Sequence, residues 1–188
     1  MKNKILCFIV IFLFIFQTPI FAQVSNEQIQ QQSANAMVKL GLLKGYENGN
    51  LGLERNITRA EFATVIIRMM GYEKNPIKVS SNISFKDLPK KHWAYSTVRM
   101  AASLGYIKGY SNKTFKPSNN ITYAEAITIM VRVLGYGDKL SGKWPDNYIK
   151  KANELGILKN LDISESTPIT RGNISILVTN SLNVEIKK

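Results

Sequence analysis

The sequence predicts an all-α fold made of three helix-loop-helix repeats, and three observations support this prediction. First, residues 40–72 and 104–136 align without a gap at a shift of 64 residues, and 15 of 33 positions are identical; a shorter third copy begins at Leu155 and resumes at Ile169. Second, apolar residues recur at helical spacing on both sides of each loop. Third, threonines and glycines stand where these helices would begin and end. Because one repeat is too small to bury its own apolar face, we expect a single domain.

A first helix with a single buried stripe is predicted in each copy from an apolar or small residue at every third position. These residues are Ala34, Met37 and Leu40 in copy one, Val98, Ala101 and Leu104 in copy two, and Ile149, Ala152 and Leu155 in copy three. Each stripe is followed by a glycine that can adopt the left-handed conformation of a C-terminal cap, namely Gly41, Gly105 or Gly156.

A second helix is predicted to start at a threonine in each copy. Thr58 with Glu61 and Thr122 with Glu125 have the spacing of a capping box. The third copy keeps the cap, at Thr170, but loses the glutamate, so its helix start is expected to be weaker by a fraction of the ~1 kcal/mol that a good cap provides. Apolar stripes follow these starts: Phe62, Val65, Ile66 and Met69; Ile129, Met130 and Val133; and Ile174, Leu177 and Val178.

The first 22 residues have the pattern of an export signal. Lys2 and Lys4 precede an apolar stretch from Ile5 to Phe16, and Ala22 offers a small residue at a cleavage point. An uncleaved N-terminal anchor is the alternative. No later segment approaches the ~20 apolar residues that a membrane-spanning helix needs, so the mature chain is expected to be soluble, without a transmembrane anchor.

Charge and composition narrow the possible functions. The formal net charge is +12, and it falls to +10 when the two lysines of the signal are removed. A basic exported chain favours an anionic partner, such as a wall polymer, a membrane surface or nucleic acid. The export signal and the long loops argue against nucleic acid. The single histidine, His92, and the single cysteine, Cys7 in the signal, predict no metal, no cofactor and no enzymatic activity.

A second repeated element precedes copies two and three, in which an aspartate stands six residues before a tryptophan. The two pairs are Asp87 with Trp93 and Asp138 with Trp144. At the matching offsets the first copy has Gln23 and Ile29, within a polar, glutamine-rich segment. One of three equivalent elements is therefore incomplete.

Taken together, these motifs resemble the S-layer homology domain, which usually occurs as three copies. The motifs are Phe-x-Asp, His-Trp-Ala, Gly-Tyr-Ile-x-Gly-Tyr, Phe-x-Pro and Ile-Thr-Arg-Ala-Glu-Phe, and residues 85–136 show nearly all of them. The resemblance divides the chain into a signal (1–22), a polar lead (23–32), a partial first repeat (33–72), a second repeat (85–136) and a divergent third repeat (137–188).

The resemblance implies a fold, a function and a location. Domains of this kind form a pseudo-threefold, three-pronged helical spindle that binds anionic secondary cell-wall polysaccharide, typically pyruvylated, in grooves between repeats. They thereby hold exported proteins on the wall without covalent bonds. The chain is therefore expected to be secreted and associated with the cell wall. The alternative is an exported module that binds another surface protein and no glycan. No cargo domain is visible, and three alternatives follow: the chain recruits a partner surface protein, occupies wall sites competitively or is a remnant. The sequence does not choose among them.

Arginine is the side chain best shaped to grip a carboxylate, because its planar guanidinium donates two parallel hydrogen bonds. Arg59 and Arg171 stand at the family's arginine position, which implies a role in polysaccharide binding. The alternative is an arginine solvated at the surface. The second copy has Tyr123 there, which can stack on a sugar and donate one bond, so this position is expected to bind weakly or not at all.

The tryptophans and aspartates each have two interpretations. Trp93 and Trp144 offer a flat face to a sugar ring, or they pack against the core. Asp87 and Asp138 accept bonds from sugar hydroxyls, or they cap the chain. We expect one complete groove, formed by Arg59, Asp87 and Trp93, and we expect Arg171 to face the incomplete element of the first copy.

Overall fold

The computed structural model describes residues 24–80, 82–161 and 164–187, and the predicted export signal (1–22) lies outside these ranges. Within them the chain has six α-helices and no strand or sheet, so the all-α prediction is confirmed. The helices are α1 (Asn26–Lys39), α2 (Arg59–Met69), α3 (Tyr95–Ser103), α4 (Tyr123–Val133), α5 (Asp146–Glu154) and α6 (Arg171–Ser181).

The predicted helix starts are found where the threonines stand. Thr58 and Thr122 each form a complete capping box with the glutamate three residues on. Thr170 accepts a bond from the Asn173 amide, without the returning glutamate. One helix start was not predicted. Helix α1 begins at Asn26, directly after a capping box formed by Ser25 and Gln28, so it includes most of the polar lead.

The predicted helix ends are also confirmed. Gly41, Gly105 and Gly156 have φ angles of 73°, 75° and 72°, the left-handed conformation that favours glycine. The prediction that Leu40 is buried is wrong, because its side chain is 59% exposed. Leu40 is the C-cap residue of α1, where the chain leaves the helix and its buried stripe.

The helices pair between repeats rather than within them. α2 packs against α3, α4 packs against α5, and α1 packs against α6. Each pair therefore joins the second helix of one copy to the first helix of the next, and the pairing of α1 with α6 joins the third copy to the first. This exchange decides which loop meets which tryptophan.

The segments before the threonine caps meet in a closed cycle of backbone hydrogen bonds. The Ile57 amide donates to the Ile169 carbonyl at 3.0 Å, the Ile121 amide to the Ile57 carbonyl at 3.1 Å, and the Ile169 amide to the Ile121 carbonyl at 3.0 Å. All three isoleucines are fully buried, so the cycle also satisfies backbone groups that water does not reach. Such a cycle is compatible with the predicted pseudo-threefold arrangement, and the symmetry itself stays a prediction.

The described part of the chain has neither a residue group suited to a metal ion nor a helix that could span a membrane. No group of three or more His, Cys, Asp or Glu residues there could hold a metal ion. No helix within the same ranges is long and apolar enough to cross a membrane.

Candidate ligand-binding grooves

The buried guanidinium of Arg59 holds the loop of the second repeat. Arg59 is the first residue of α2, and its side chain is only 4% exposed. Its Nε donates to the Phe115 carbonyl and its Nη2 to the Lys108 carbonyl, both at 3.0 Å. Its Nη1 lies 3.1 Å from Glu125 Oε1. Arg59 therefore fixes this loop against the start of α4.

Arg171 makes the equivalent contacts with the loop of the first repeat. Its Nε donates to the Leu51 carbonyl and its Nη2 to the Lys44 carbonyl, both at 2.8 Å. Its Nη1 lies 3.6 Å from Glu61 Oε1, which is an ion pair rather than a hydrogen bond. Each of these partners stands 64 residues before its counterpart around Arg59. The two arginines therefore hold equivalent loops of neighbouring repeats through equivalent bonds.

The expected alternative, an arginine solvated at the surface, is wrong for both positions. Each guanidinium is about 95% buried and bonded to backbone carbonyls. An arginine has five N–H donors, and Arg59 uses three of them in the bonds described above. Direct contact between either arginine and a ligand stays a prediction.

Each arginine lies at the base of an open cavity, and the two cavities have matching walls. We call them the Arg59 groove and the Arg171 groove. The Arg59 groove is lined by Arg59, Lys108, Tyr110, Glu125, Thr128, Arg132 and Trp144. The Arg171 groove is lined by Arg171, Lys44, Tyr46, Glu61, Thr64, Arg68 and Trp93. Every residue in one list has its repeat-equivalent in the other.

The tryptophan of each groove is exposed, which excludes the core-packing interpretation. Trp93 is 63% exposed and stacks on the His92 ring, with 5.7 Å between ring centroids. Trp144 is 56% exposed, and its indole N–H donates to Thr128 Oγ1 at 2.9 Å. Both indoles therefore present an apolar face to solvent beside a buried cation.

A tyrosine lies over each guanidinium. The Cζ atom of Arg59 is 5.0 Å from the centroid of the Tyr110 ring, and Arg171 lies at the same distance from Tyr46. Glu125 Oε1 also accepts a bond from the Tyr110 hydroxyl at 3.4 Å. Burial raises the pKa of Tyr110 above 10.0, with Arg59 acting against this and Glu125 adding to it. The phenol therefore stays protonated at neutral pH, and its single O–H donates to Glu125.

The expected set of Arg59, Asp87 and Trp93 is wrong. Trp93 belongs to the Arg171 groove, and the tryptophan of the Arg59 groove is Trp144. The physical reason is the exchange of helices. Arg59 reaches forward to the loop of the next repeat, and the helix that packs against that repeat's second helix comes from the copy after it.

Asp87 matches the capping interpretation. Its two carboxylate oxygens accept from the Phe115 and Lys116 amides at 2.7 Å each, so it fixes the turn whose carbonyl receives the Arg59 Nε. Asp138 is exposed and lines a separate cavity that adjoins the Arg59 groove through Lys108 and Arg132. The two aspartates are therefore not equivalent in the fold.

Tyr123 stands where the third arginine would be, and several of the surrounding positions hold different side chains. Tyr123 is 4% exposed. The positions equivalent to the groove glutamate, threonine and second arginine hold Asn173, Ile176 and Asn180. Gln30 of α1 bonds to Asn173 at 2.9 Å, in the place that the first copy's missing element would occupy. The expectation that Arg171 faces the tryptophan position of this element is wrong, because Trp93 of the second copy lies beside Arg171, and two residue sets are complete rather than one.

Sequence reasoning missed four members of each groove. They are the loop lysine and tyrosine, the helix threonine and the second arginine, at Lys44, Tyr46, Thr64 and Arg68 and at Lys108, Tyr110, Thr128 and Arg132. The signal was present, because all four pairs are among the identical positions of copies one and two. The cross-repeat ion pairs of Glu61 and Glu125 were also missed, since both residues were assigned only to capping.

The model of the S-layer homology domain matches this chain over residues 32–63 and 84–127. These segments include the loops, threonine caps and glutamates that build both grooves. The resemblance predicted from the motifs is confirmed.

Several bacterial surface proteins are similar to this chain. The middle cell wall protein of Brevibacillus brevis is 36% identical over 156 residues, which is 83% of this chain and 15% of that protein. The surface layer protein of Brevibacillus choshinensis is 39% identical over 132 residues, 70% of this chain and 12% of that protein. The cellulosome-anchoring protein of Acetivibrio thermocellus is 32% identical over 130 residues, 62% of this chain and 29% of that protein.

The family match and these relatives identify the chain as an S-layer homology domain protein. They also support the predicted location at the cell surface, associated with the cell wall. The chain spans less than a third of the length of each of the three relatives.

Proposed function

We propose that this chain is a non-covalent cell-wall anchor that binds anionic secondary cell-wall polysaccharide in the Arg59 and Arg171 grooves. The acidic group expected on that polymer is a carboxylate, such as a pyruvyl group on an amino sugar. The family and the relatives named for anchoring and for surface layers support an anchoring module rather than an enzyme.

One observation carries the proposal: the same seven side chains build both grooves. Each set combines cations with an exposed indole face and hydroxyl groups. An indole face suits the apolar side of a pyranose ring, the hydroxyls suit its polar edge, and guanidinium suits a carboxylate. The net charge of the chain favours the approach of a polyanion.

Two grooves on one rigid domain also suit a repeating polymer. When one groove is occupied, the second meets the same chain at a high effective concentration, which increases retention without a new contact. We therefore place the polysaccharide at both grooves and none at Tyr123.

The test is sedimentation of the exported chain with purified wall sacculi, before and after extraction of the secondary polymer. Trp93→Ala and Trp144→Ala each remove one indole face. A sugar that covers roughly 60 Å² of indole contributes about 1.5 kcal/mol, so each variant should weaken its groove about tenfold. The double variant should lose more than either single variant, because avidity is lost as well.

Both tryptophans are exposed, so these variants should keep the thermal stability of the parent chain within a few degrees. Wall binding that survives polymer extraction would favour the alternative, a protein partner. Wall binding that needs the polymer but ignores both tryptophans would place the ligand outside these grooves.

A further inference from the structure

The second arginine of each groove has a different partner in the two grooves. Arg68 donates through Nε to both carboxylate oxygens of Glu73, at 3.0 and 3.1 Å. Arg132 is its repeat-equivalent, and its guanidinium instead lies over the ring of Tyr148, with Cζ 5.3 Å from the centroid. An aromatic face attracts a cation but leaves the in-plane N–H donors unused.

The residue five positions after each arginine explains this difference. The Arg171 groove has Glu73 there, and the Arg59 groove has Gly137. A Cβ atom at Gly137 would lie 2.6 Å from Cγ and 3.2 Å from Cα of Arg132, so the backbone packs directly against the arginine. The Arg59 groove therefore lacks the carboxylate that neutralises Arg68.

The Arg59 groove also continues past Arg132 into the adjoining cavity. Arg132 and Lys108 line both spaces, and Tyr106, Asp138 and Tyr148 complete the second one. Burial and the nearby Tyr72 raise the pKa of Tyr106 above 10.0, so its hydroxyl is protonated. Asp138 is the carboxylate on this side, and it suits the hydroxyls of a neutral sugar better than a second acid.

We propose that Arg132 contacts the acidic group of the bound saccharide, that the adjoining cavity takes the next, neutral sugar, and that Glu73 withholds Arg68 from the same role. This inference rests on the proposed function and specifies it. The Arg59 groove would bind a segment of at least two sugars with one acidic group. The Arg171 groove would be the weaker of the two and less dependent on ligand charge.

The experiment compares Arg132→Gln with Arg68→Gln in backgrounds that isolate each groove. Trp93→Ala weakens the Arg171 groove, so Arg132→Gln is measured in that background. Trp144→Ala weakens the Arg59 groove, so Arg68→Gln is measured in that one. Polymer-bearing sacculi are the probe. Loss of a charged hydrogen bond predicts a decrease of tenfold or more for Arg132→Gln, and about twofold or less for Arg68→Gln.

Equal losses for the two arginines would overturn the inference while leaving the proposed function intact. Failure of the parent chain to bind polymer-bearing sacculi would instead overturn the proposed function. A decrease for Arg132→Gln that persists on sacculi stripped of their acidic group would also overturn the inference, because the contact would not be with that group.

A gain-of-function variant tests the role of Glu73. Glu73→Gln releases Arg68, and in the Trp144→Ala background it should strengthen wall binding about two- to fivefold, the range expected from an exposed ion pair. Glu154→Gln is the matched control, since it removes another exposed carboxylate of an ion pair, with Lys151, and changes net charge equally. Stronger wall binding in both variants would mean that the change in net charge causes the effect, and it would contradict the role of Glu73.

Discussion

Replacing Arg59 by alanine should damage the fold as well as the groove, and the structure sets the size of the effect. The truncation leaves the carbonyls of Phe115 and Lys108 without a charged donor in a site that is almost fully buried. Each such hydrogen bond contributes about 1.5–3 kcal/mol. Removing one partner of a buried ionic pair costs about 3–5 kcal/mol, but Glu125 is 26% exposed and can be partly rehydrated. We therefore expect a loss of about 3–4 kcal/mol.

Urea unfolding of the exported chain, followed by circular dichroism, measures this loss. For a domain of this size, 1 kcal/mol corresponds to about 2–4 °C, so the melting temperature should fall by about 6–16 °C. Arg99→Ala is the control, because Arg99 also donates to two carbonyls, of Ile83 and Ser80, but from a more accessible site. It should cost about 1 kcal/mol.

The reasoning would be refuted if Arg59→Ala unfolded at the same urea concentration as the parent chain, or lost no more than Arg99→Ala. Either result would mean that the guanidinium is solvated and does not hold the loop. Arg59→Lys should recover less than half of the loss, because one ammonium group cannot reach both carbonyls in the planar arrangement of guanidinium.

Three further outcomes are expected. At temperatures where it is folded, Arg59→Lys should still bind polymer-bearing walls less tightly than the parent chain, and full recovery in sedimentation would contradict the need for a planar cation. Asp87→Asn should cost about 2 kcal/mol in urea unfolding, since one of its two amide bonds is lost and the other no longer has a charged acceptor. Because the pKa of Tyr106 is raised in the folded chain, the phenol ionises more readily after unfolding, and the free energy of unfolding should fall as the pH rises past 10. Tyr106→Phe should make that fall shallower. An unchanged dependence of stability on pH in this variant would contradict the prediction.

The sequence was sufficient for the local features of the fold. Helix starts at Thr58 and Thr122 and the helix end at Gly41 depend on residues within four positions of one another, so spacing alone predicts them. The start of α1 was missed, although Ser25 and Gln28 form a capping box, because no apolar stripe follows them closely.

The partners of the site residues could not be predicted from spacing, because they depend on the exchange of helices between repeats. Arg59, Asp87 and Trp93 are near one another in the sequence, yet the indole belongs with Arg171. Asp87 still serves Arg59, although indirectly, by holding the turn that accepts its Nε. The side chain of an arginine is long enough to cross to another repeat, and the direction it takes is fixed by which carbonyls are free there.

The arginine that copy two lacks and the glutamate that copy three lacks are the two partners of one cross-repeat ion pair, and their joint absence has a physical reason. Copy two has Tyr123 in place of the arginine, and copy three has Asn173 in place of the glutamate, and the equivalent positions elsewhere form the ion pairs of Arg59 with Glu125 and of Arg171 with Glu61. A guanidinium buried instead of Tyr123 would find Asn173 in place of a carboxylate, and an uncompensated buried charge costs several kcal/mol. Once the glutamate is absent, a neutral side chain such as tyrosine is the stable choice. The arginine and the glutamate are therefore kept or lost together, so Tyr123→Arg alone should add no wall binding and should lower stability.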